Sequence, residues 1–291
     1  MPAGRAGGAD VSAMTPSVRQ CYDGLADEHD LMFADWRAEV VKQGETLDLL
    51  IRRQVGPVAG SVLDCACGIG TQAIGLAMRG YTVHATDLSP AAVARAAREA
   101  ASFGAALTLD VADFRALETT LMDTFDVVLC CDNTLAHLLA DADLRVAAAQ
   151  MRARHRPGGL LMASIRDYDQ LFGPSAATSR PSAPGLPGLY GQQRPGRPRG
   201  TMPQVVDDAN GRRIAFQVWD WASDGRSYTF TQFFLREGDG DYHTIHHISQ
   251  LRALLREELS RVLQDTGFSE IHWHMPAESG FYQPVLTACR G

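Results

Sequence analysis

The stretch Ser61–Thr71, SVLDCACGIGT, places the tightest constraint on what this chain can fold into. An apolar run ends in Asp64, two glycines follow at Gly68 and Gly70, and a helical pattern then begins. A strand, a tight turn and a helix start in succession build a crevice at the carboxyl edge of an α/β sheet. The glycines allow the backbone to approach a ligand closely. With Ala73 the stretch fits G-x-G-x-x-A, a spacing that ordinary βα turns also produce.

The acidic residues narrow the choice of ligand. A carboxylate at Asp64 repels pyrophosphate and suits an ammonium group. The next strand-like run, YTVHATD, ends in Asp87, seventeen positions after Gly70 and just before Leu88. An acid at that second strand end can accept both ribose hydroxyls. The third run, LTLDVADF, brings Asp113 and Phe114, which can take the adenine amino group and cover its face. An ammonium, a sulfonium, a ribose, an adenine and no phosphate describe S-adenosylmethionine, and the chain is expected to bind it.

The chain has 291 residues and a formal charge of −7, which argues against broad nucleic-acid binding, since phosphate contacts need a basic face. No apolar run approaches the roughly 20 residues of a membrane span. The start lacks the apolar core of a signal peptide. The cysteine spacing, with pairs at Cys65/Cys67 and Cys130/Cys131, makes no zinc-ribbon pattern. The cysteines read as reduced packing residues of a cytoplasmic protein.

Residues 1–15 are Gly/Ala-rich and expected to be disordered. Residues 16–60 carry helical spacing, with Tyr22, Leu25, Ala26 and His29 on one face, and can fold over the crevice as a lid. From 61 to 172 strands and helices alternate, which implies a mostly parallel sheet with helices on both faces. Residues 173–203 are rich in Pro, Gly, Ser and Arg and read as a surface loop or a mobile cover. From 204 to 291 the pattern changes. RIAFQVWDW, SYTFTQFFLRE and DYHTIHHIS alternate like antiparallel strands, a helix follows over about Gln250–Thr266, and IHWHMP and YQPVLTAC end the chain. The expected fold is α/β and Rossmann-like, with a helical lid and an added antiparallel β-sheet.

Taken together, YDGLADEHDLMFADW, VLDCACGIGT, DNTLAHL, RPGGLL, IRDYD, FQVWDW, RALLREEL and MPAESGFYQP resemble the class I S-adenosylmethionine-dependent methyltransferases. More narrowly, they resemble the bacterial glycine/sarcosine N-methyltransferases and animal glycine N-methyltransferases. The resemblance implies cofactor contacts at Tyr22, Trp36, Ala66, Asp87, Asp113 and Phe114, with Asn133 and Leu135 near the transferring methyl. It implies that Arg166 grips a substrate carboxylate, with Asn133 and Tyr168 beside it. A guanidinium fork at a strand end also suits that role on chemical grounds, the alternative being an ion pair with Asp167 or Asp169.

The chain departs from that family at three histidines. His29 and His247 stand where the family usually has aromatics, and His274 where it usually has leucine. Three imidazoles near one pocket would suit Zn²⁺ or Fe²⁺. The alternative is three packed or hydrogen-bonded rings. His272 and His274, about 6.6 Å apart by strand rise, could share an ion, whereas His243 and His247, about 13 Å apart, could not. A metal on His29, His247 and His274 would polarise a 2-oxo acid held by Arg166 and acidify its C3 hydrogen. The expected reaction is then C3-methylation of that acid. The alternative is N-methylation of glycine, sarcosine or another small amino acid, where orientation alone serves. The partner in either case is a small carboxylic acid, and no feature sets the subunit number.

Overall fold

The apolar run at Ser61 becomes a strand covered on both faces, because helices pack on either side of it. The structure, a computed structural model, describes residues 17–56, 60–172, 198–208, 211–238 and 240–291. Most of the 1–15 and 173–203 expectations therefore falls outside the described residues. In chain order the elements are α1 (Val18–Leu25), α2 (Trp36–Val55), β1 (Ser61–Asp64), α3 (Thr71–Ala77), β2 (Thr82–Asp87) and α4 (Pro90–Phe103). Then come β3 (Leu107–Val111), β4 (Phe125–Cys130), α5 (Asp141–Ala153), β5 (His155–Ser164) and α6 (Tyr168–Phe172). The rest are β6 (Gln204–Asp208), β7 (Gly211–Trp221), β8 (Ser227–Gly238), β9 (Asp241–Arg252), α7 (Arg256–Asp265), β10 (Phe268–His274), α8 (Pro276–Ser279) and β11 (Val285–Arg290).

The main sheet has the order β10-β11-β5-β4-β1-β2-β3. Its β1, β2, β3, β4 and β5 are parallel, and β10 and β11 run antiparallel at one edge. The strand order reverses between β1 and β4. A ligand crevice opens there, outside the carboxyl ends of the strands. Alternate residues feed opposite layers. Leu63, Val128, Leu161 and Leu286 pack with Leu144 and Met151 of α5 and Leu259 and Leu263 of α7. Val62, Val127, Leu129 and Met162 pack with Leu47 and Ile51 of α2 and Leu76 of α3. Each such leucine, fully buried, stabilises the fold by roughly 1.5–3 kcal/mol.

A second sheet of four antiparallel strands, β6-β7-β8-β9, forms one wall of the crevice through Gln217, Phe230, Gln232 and Leu251. Its inner face carries Gln217, Trp219, Tyr228, Phe230 and Gln232, in register across β7 and β8. The sequence pattern marks β7, β8 and β9 but leaves β6 out. This short edge strand carries Val205 exposed and pairs only with β7, so little apolar alternation is needed to hold it.

Two helix expectations need correction. The helical pattern expected over 16–60 breaks into α1, a 3₁₀ turn at His29–Met32 and α2, with the Asp35 side chain accepting from the Ala38 N–H at the α2 start. The late helix begins at Arg256 rather than about Gln250, because β9 runs on to Arg252 and pairs with Ser227 of β8.

Candidate active site

The glycine turn after β1 is tied to β2 before any ligand is considered. The Cys67 N–H donates to the Thr86 carbonyl, and the Gly68 N–H donates to Asp87 Oδ2 at 2.8 Å. Gly68 and Gly70 adopt φ of 54° and 97°, a region that favours glycine. A Cβ at Gly70 would also lie 2.9 Å from Ile74 Cδ1. Asp87 Oδ1 accepts from the Ser89 N–H, so the carboxylate is held in one orientation at the mouth of β2.

A cavity of about 260 Å³ opens above these strand ends. Of the residues singled out in the sequence, it is lined by Tyr22, His29, Ala66, Gly68, Asp87, Leu88, Asp113, Phe114, Asn133 and Arg166. Asp64 lies just behind the wall, 1 % exposed. Its Oδ1 accepts weakly from the Ala66 N–H, and its Oδ2 is buried without a hydrogen-bond partner. Burial, aided by the charges of Asp132 and Asp87, pushes its carboxyl up to about 7. Burial also raises Asp87 and Asp132. Two acids lining the pocket, Asp87 and Asp132, with the orphaned Asp64 carboxylate oxygen behind them, fit a ligand carrying an ammonium and a sulfonium.

Several expected contacts are otherwise engaged. Trp36 is buried away from the cavity, and its indole N–H donates to Thr71 Oγ1 at 2.9 Å, pinning α2 to the start of α3. Leu135 is fully buried in the core, and Gly70 shapes the turn without lining the cavity. Asp113 lines the cavity, but both its oxygens accept from the Arg115 guanidinium. Burial alone would raise it; the Arg115 hydrogen bonds outweigh burial and hold it below the usual range.

Asn133 and Asp132 sit after β4 with φ of 64° and 59°, a strained conformation for non-glycine residues. The strain turns the Asn133 side chain back across the crevice. Its Oδ1 accepts from the Arg166 N–H at 3.0 Å, and its Nδ2 donates to the Tyr168 hydroxyl at 3.1 Å. Tyr168 is fully buried, so it braces the site rather than lining it. Asp132 accepts from Gln72 Nε2 and from the Tyr282 hydroxyl.

Of the three arginines that line the cavity among the described residues, Arg19 pairs with Asp23, Arg115 pairs with Asp113, and the third is Arg166. Its Nη1 donates to the Tyr228 hydroxyl at 2.7 Å, Nη2 lies 3.4 Å from Gln217 Oε1, and the guanidinium carbon stands 4.4 Å over the Trp219 ring. Asp167 and Asp169, the alternative ion-pair partners, are both engaged by Arg256. Among the described residues Arg166 has only neutral partners, so its charge faces the cavity uncompensated. A buried or half-buried charge in that state calls for an anion.

The structure does not bring the three departing histidines together. His29 lines the cavity beside Gly68, and burial lowers it to about 4, so it is neutral. The His247 ring packs on α1, 3.0 Å from where a Cβ at Gly24 would lie, with Nε2 3.9 Å from Glu28 Oε2. His274 is at the sheet edge, its Nε2 hydrogen-bonded to Thr287 Oγ1 at 2.9 Å. Among the described residues no three His, Cys, Asp or Glu side chains are grouped as ligands of one ion. Sequence spacing could not foresee this, because the second sheet meets α1 with His247 under that helix while β10 lies beyond β11.

Several lining residues passed unnoticed in the sequence, among them Gln217 and, within DNTLAHL, Asp132 and His137. His137 lines the cavity and accepts from or donates to the Tyr22 hydroxyl at 2.9 Å through Nε2. Its Nδ1 faces the Gln250 carbonyl at 3.0 Å. A carbonyl only accepts, so Nδ1 carries the proton and Tyr22 donates to Nε2.

Comparison with known proteins agrees with this geometry. Residues 62–159 match a family described as a methyltransferase domain. The chain is 33% identical over 205 residues to a glycine/sarcosine N-methyltransferase of Parasynechococcus marenigrum (strain WH8102), covering 70% of this chain and 67% of the relative. A glycine/sarcosine N-methyltransferase of Halorhodospira halochloris is 26% identical over 53% of this chain, which spans about half that relative's length, 56%. The fold matches S-adenosylmethionine-bound CalS10, an amino pentose methyltransferase from Micromonospora echinaspora, with a TM-score of 0.62 at 22% identity over 86% of this chain and 92% of that one.

Proposed function

The chain belongs to the class I S-adenosylmethionine-dependent methyltransferases, and from that premise we propose that its acceptor is the amino nitrogen of a small amino acid. The observation that carries this reading is the Arg166 guanidinium, facing the cavity with neutral partners only among the described residues. A planar fork with spare N–H donors suits a carboxylate in bidentate fashion. The relatives named glycine/sarcosine N-methyltransferases support the same substrate class.

When bound, S-adenosylmethionine supplies an electrophilic methyl on a sulfonium. Asp64 and Asp87 would hold its ammonium and ribose hydroxyls, with Phe114 against the adenine. Arg166 anchors the amino acid carboxylate, which leaves the amine to be aimed by the opposite wall. The Tyr22 hydroxyl donates its hydrogen bond to His137, so its oxygen lone pairs can accept an amine N–H. The amine enters neutral, its proton having passed to water. Methyl transfer to that nitrogen would leave an ammonium, which sheds one proton to water. No base of high strength is needed, and orientation carries most of the rate.

C3-methylation of a 2-oxo acid loses its main support, since it rested on three converging imidazoles that the structure holds apart. The test is turnover of glycine, sarcosine, larger amino acids, an amino sugar and a 2-oxo acid, read as S-adenosylhomocysteine and product mass. N-methylated amino acid is expected. Methylation of the 2-oxo acid or amino sugar, with no amino acid methylated, would overturn the proposal.

A further inference from the structure

Behind Arg166 lies a pair of glutamines that the reaction itself does not require. Gln217 of β7 and Gln232 of β8 are direct cross-strand partners on the inner face of the second sheet. Gln232 is 3 % exposed. Its Nε2 donates to the main-chain carbonyls of Phe216 and Phe233, both at 3.2 Å. Carbonyls only accept, so the amide cannot turn over, and Gln232 Oε1 must face Gln217. Gln217 Nε2 donates to that oxygen at 2.9 Å. Gln217 Oε1 therefore points the other way, where it accepts from the Trp219 indole N–H at 2.9 Å and faces Arg166 Nη2 at 3.4 Å.

Two main-chain carbonyls thus set the direction of two amides in turn, and the second presents an oxygen to the guanidinium. That oxygen orients Arg166 without neutralising it. A carboxylate at the same place would orient it equally well and cancel its charge. We infer that Gln217, fixed by Gln232, is a specificity-determining positioning residue that keeps Arg166 aimed and charged for a substrate carboxylate. The inference rests on the amino acid reading above.

The test compares an amino acid with its uncharged carboxamide, for instance glycine with glycinamide, in wild type, Gln217→Glu and Gln232→Leu. Wild type should prefer the carboxylate; if it does not, the amino acid reading fails and this inference with it. Gln217→Glu is nearly isosteric and should raise KM for the amino acid on the order of 10²-fold, with kcat/KM for the carboxamide largely kept. Gln232→Leu frees the Gln217 amide to turn and should raise the amino acid KM about 3- to 10-fold, with kcat little changed. If wild type discriminates and Gln217→Glu loses both substrates equally, or neither, the role assigned to Gln217 is wrong while the role of Arg166 stands. S-adenosylmethionine affinity, unchanged in both variants, confirms that each is folded.

Discussion

The Tyr22 hydroxyl on α1 donates to Nε2 of His137, 2.9 Å away, while His137 Nδ1 donates to the Gln250 carbonyl of β9. One imidazole thereby joins α1, the loop after β4 and the second sheet. Burial lowers His137 to about 4, so it stays a neutral acceptor across ordinary pH and is unsuited to hold a proton as a base. Tyr22→Phe and His137→Phe should each lower kcat about 3- to 10-fold. The double variant should fall no further than the worse single one, since both break one contact chain. Additive losses in a double-mutant cycle would show that the two act separately.

Asp64 makes stability and cofactor binding respond oppositely to pH. Its carboxyl is pushed up to about 7 by burial and neighbouring acids, above its unfolded value of about 3.9. Its contribution to stability is fully present below about pH 4 and is lost as pH rises through about 7. A cationic ligand prefers the ionised form, so S-adenosylmethionine should bind more tightly as pH rises through 7. Asp64→Asn should raise the melting temperature of the free protein at pH 8 and weaken the cofactor. Calorimetric titration at pH 6 and 8 and thermal melts without ligand check both signs.

Arg166→Lys keeps the charge and loses the fork. Removing one member of a hydrogen-bonded charge pair costs about 2–5 kcal/mol, so Arg166→Ala should lower kcat/KM for the amino acid by 10²-fold or more. Arg166→Lys should recover only part of that. Steady-state kinetics with saturating S-adenosylmethionine measures it, and an unaltered KM in both variants would sink the carboxylate anchor.

Helix α2 lies on α3 through two glycines. A Cβ at Gly44 would come within 2.5–2.6 Å of the Gly75 backbone, and one at Gly75 within 2.4 Å of the Val40 carbonyl. Backbone cannot step aside as a flexible side chain can. Gly44→Ala should destabilise the protein by about 1–3 kcal/mol, seen as a lower urea midpoint with little change in slope.

His274 bonds Thr287 and does not line the cavity. His274→Leu should therefore leave kcat and KM within about twofold, the scale of a surface or edge change. A collapse of turnover without loss of folded protein would return His274 to the site.

The crevice was legible in the sequence because its parts are local. A strand end, its acid and the following glycines lie within a few residues, and their chemistry travels with that spacing; Asp64, Gly68, Asp87 and Phe114 could be placed this way. The family motifs did the same for Asn133 and Arg166. What remained hidden depends on which distant segments meet. Trp36 turned inward to Thr71, Asp113 was taken by Arg115, and His29, His247 and His274 went to three different contacts. His137 and Gln217 gained their roles from partners 115 and 51 positions away. Side-chain direction in such places is set by packing and by which donor faces which acceptor, and neither is a property of spacing along the chain.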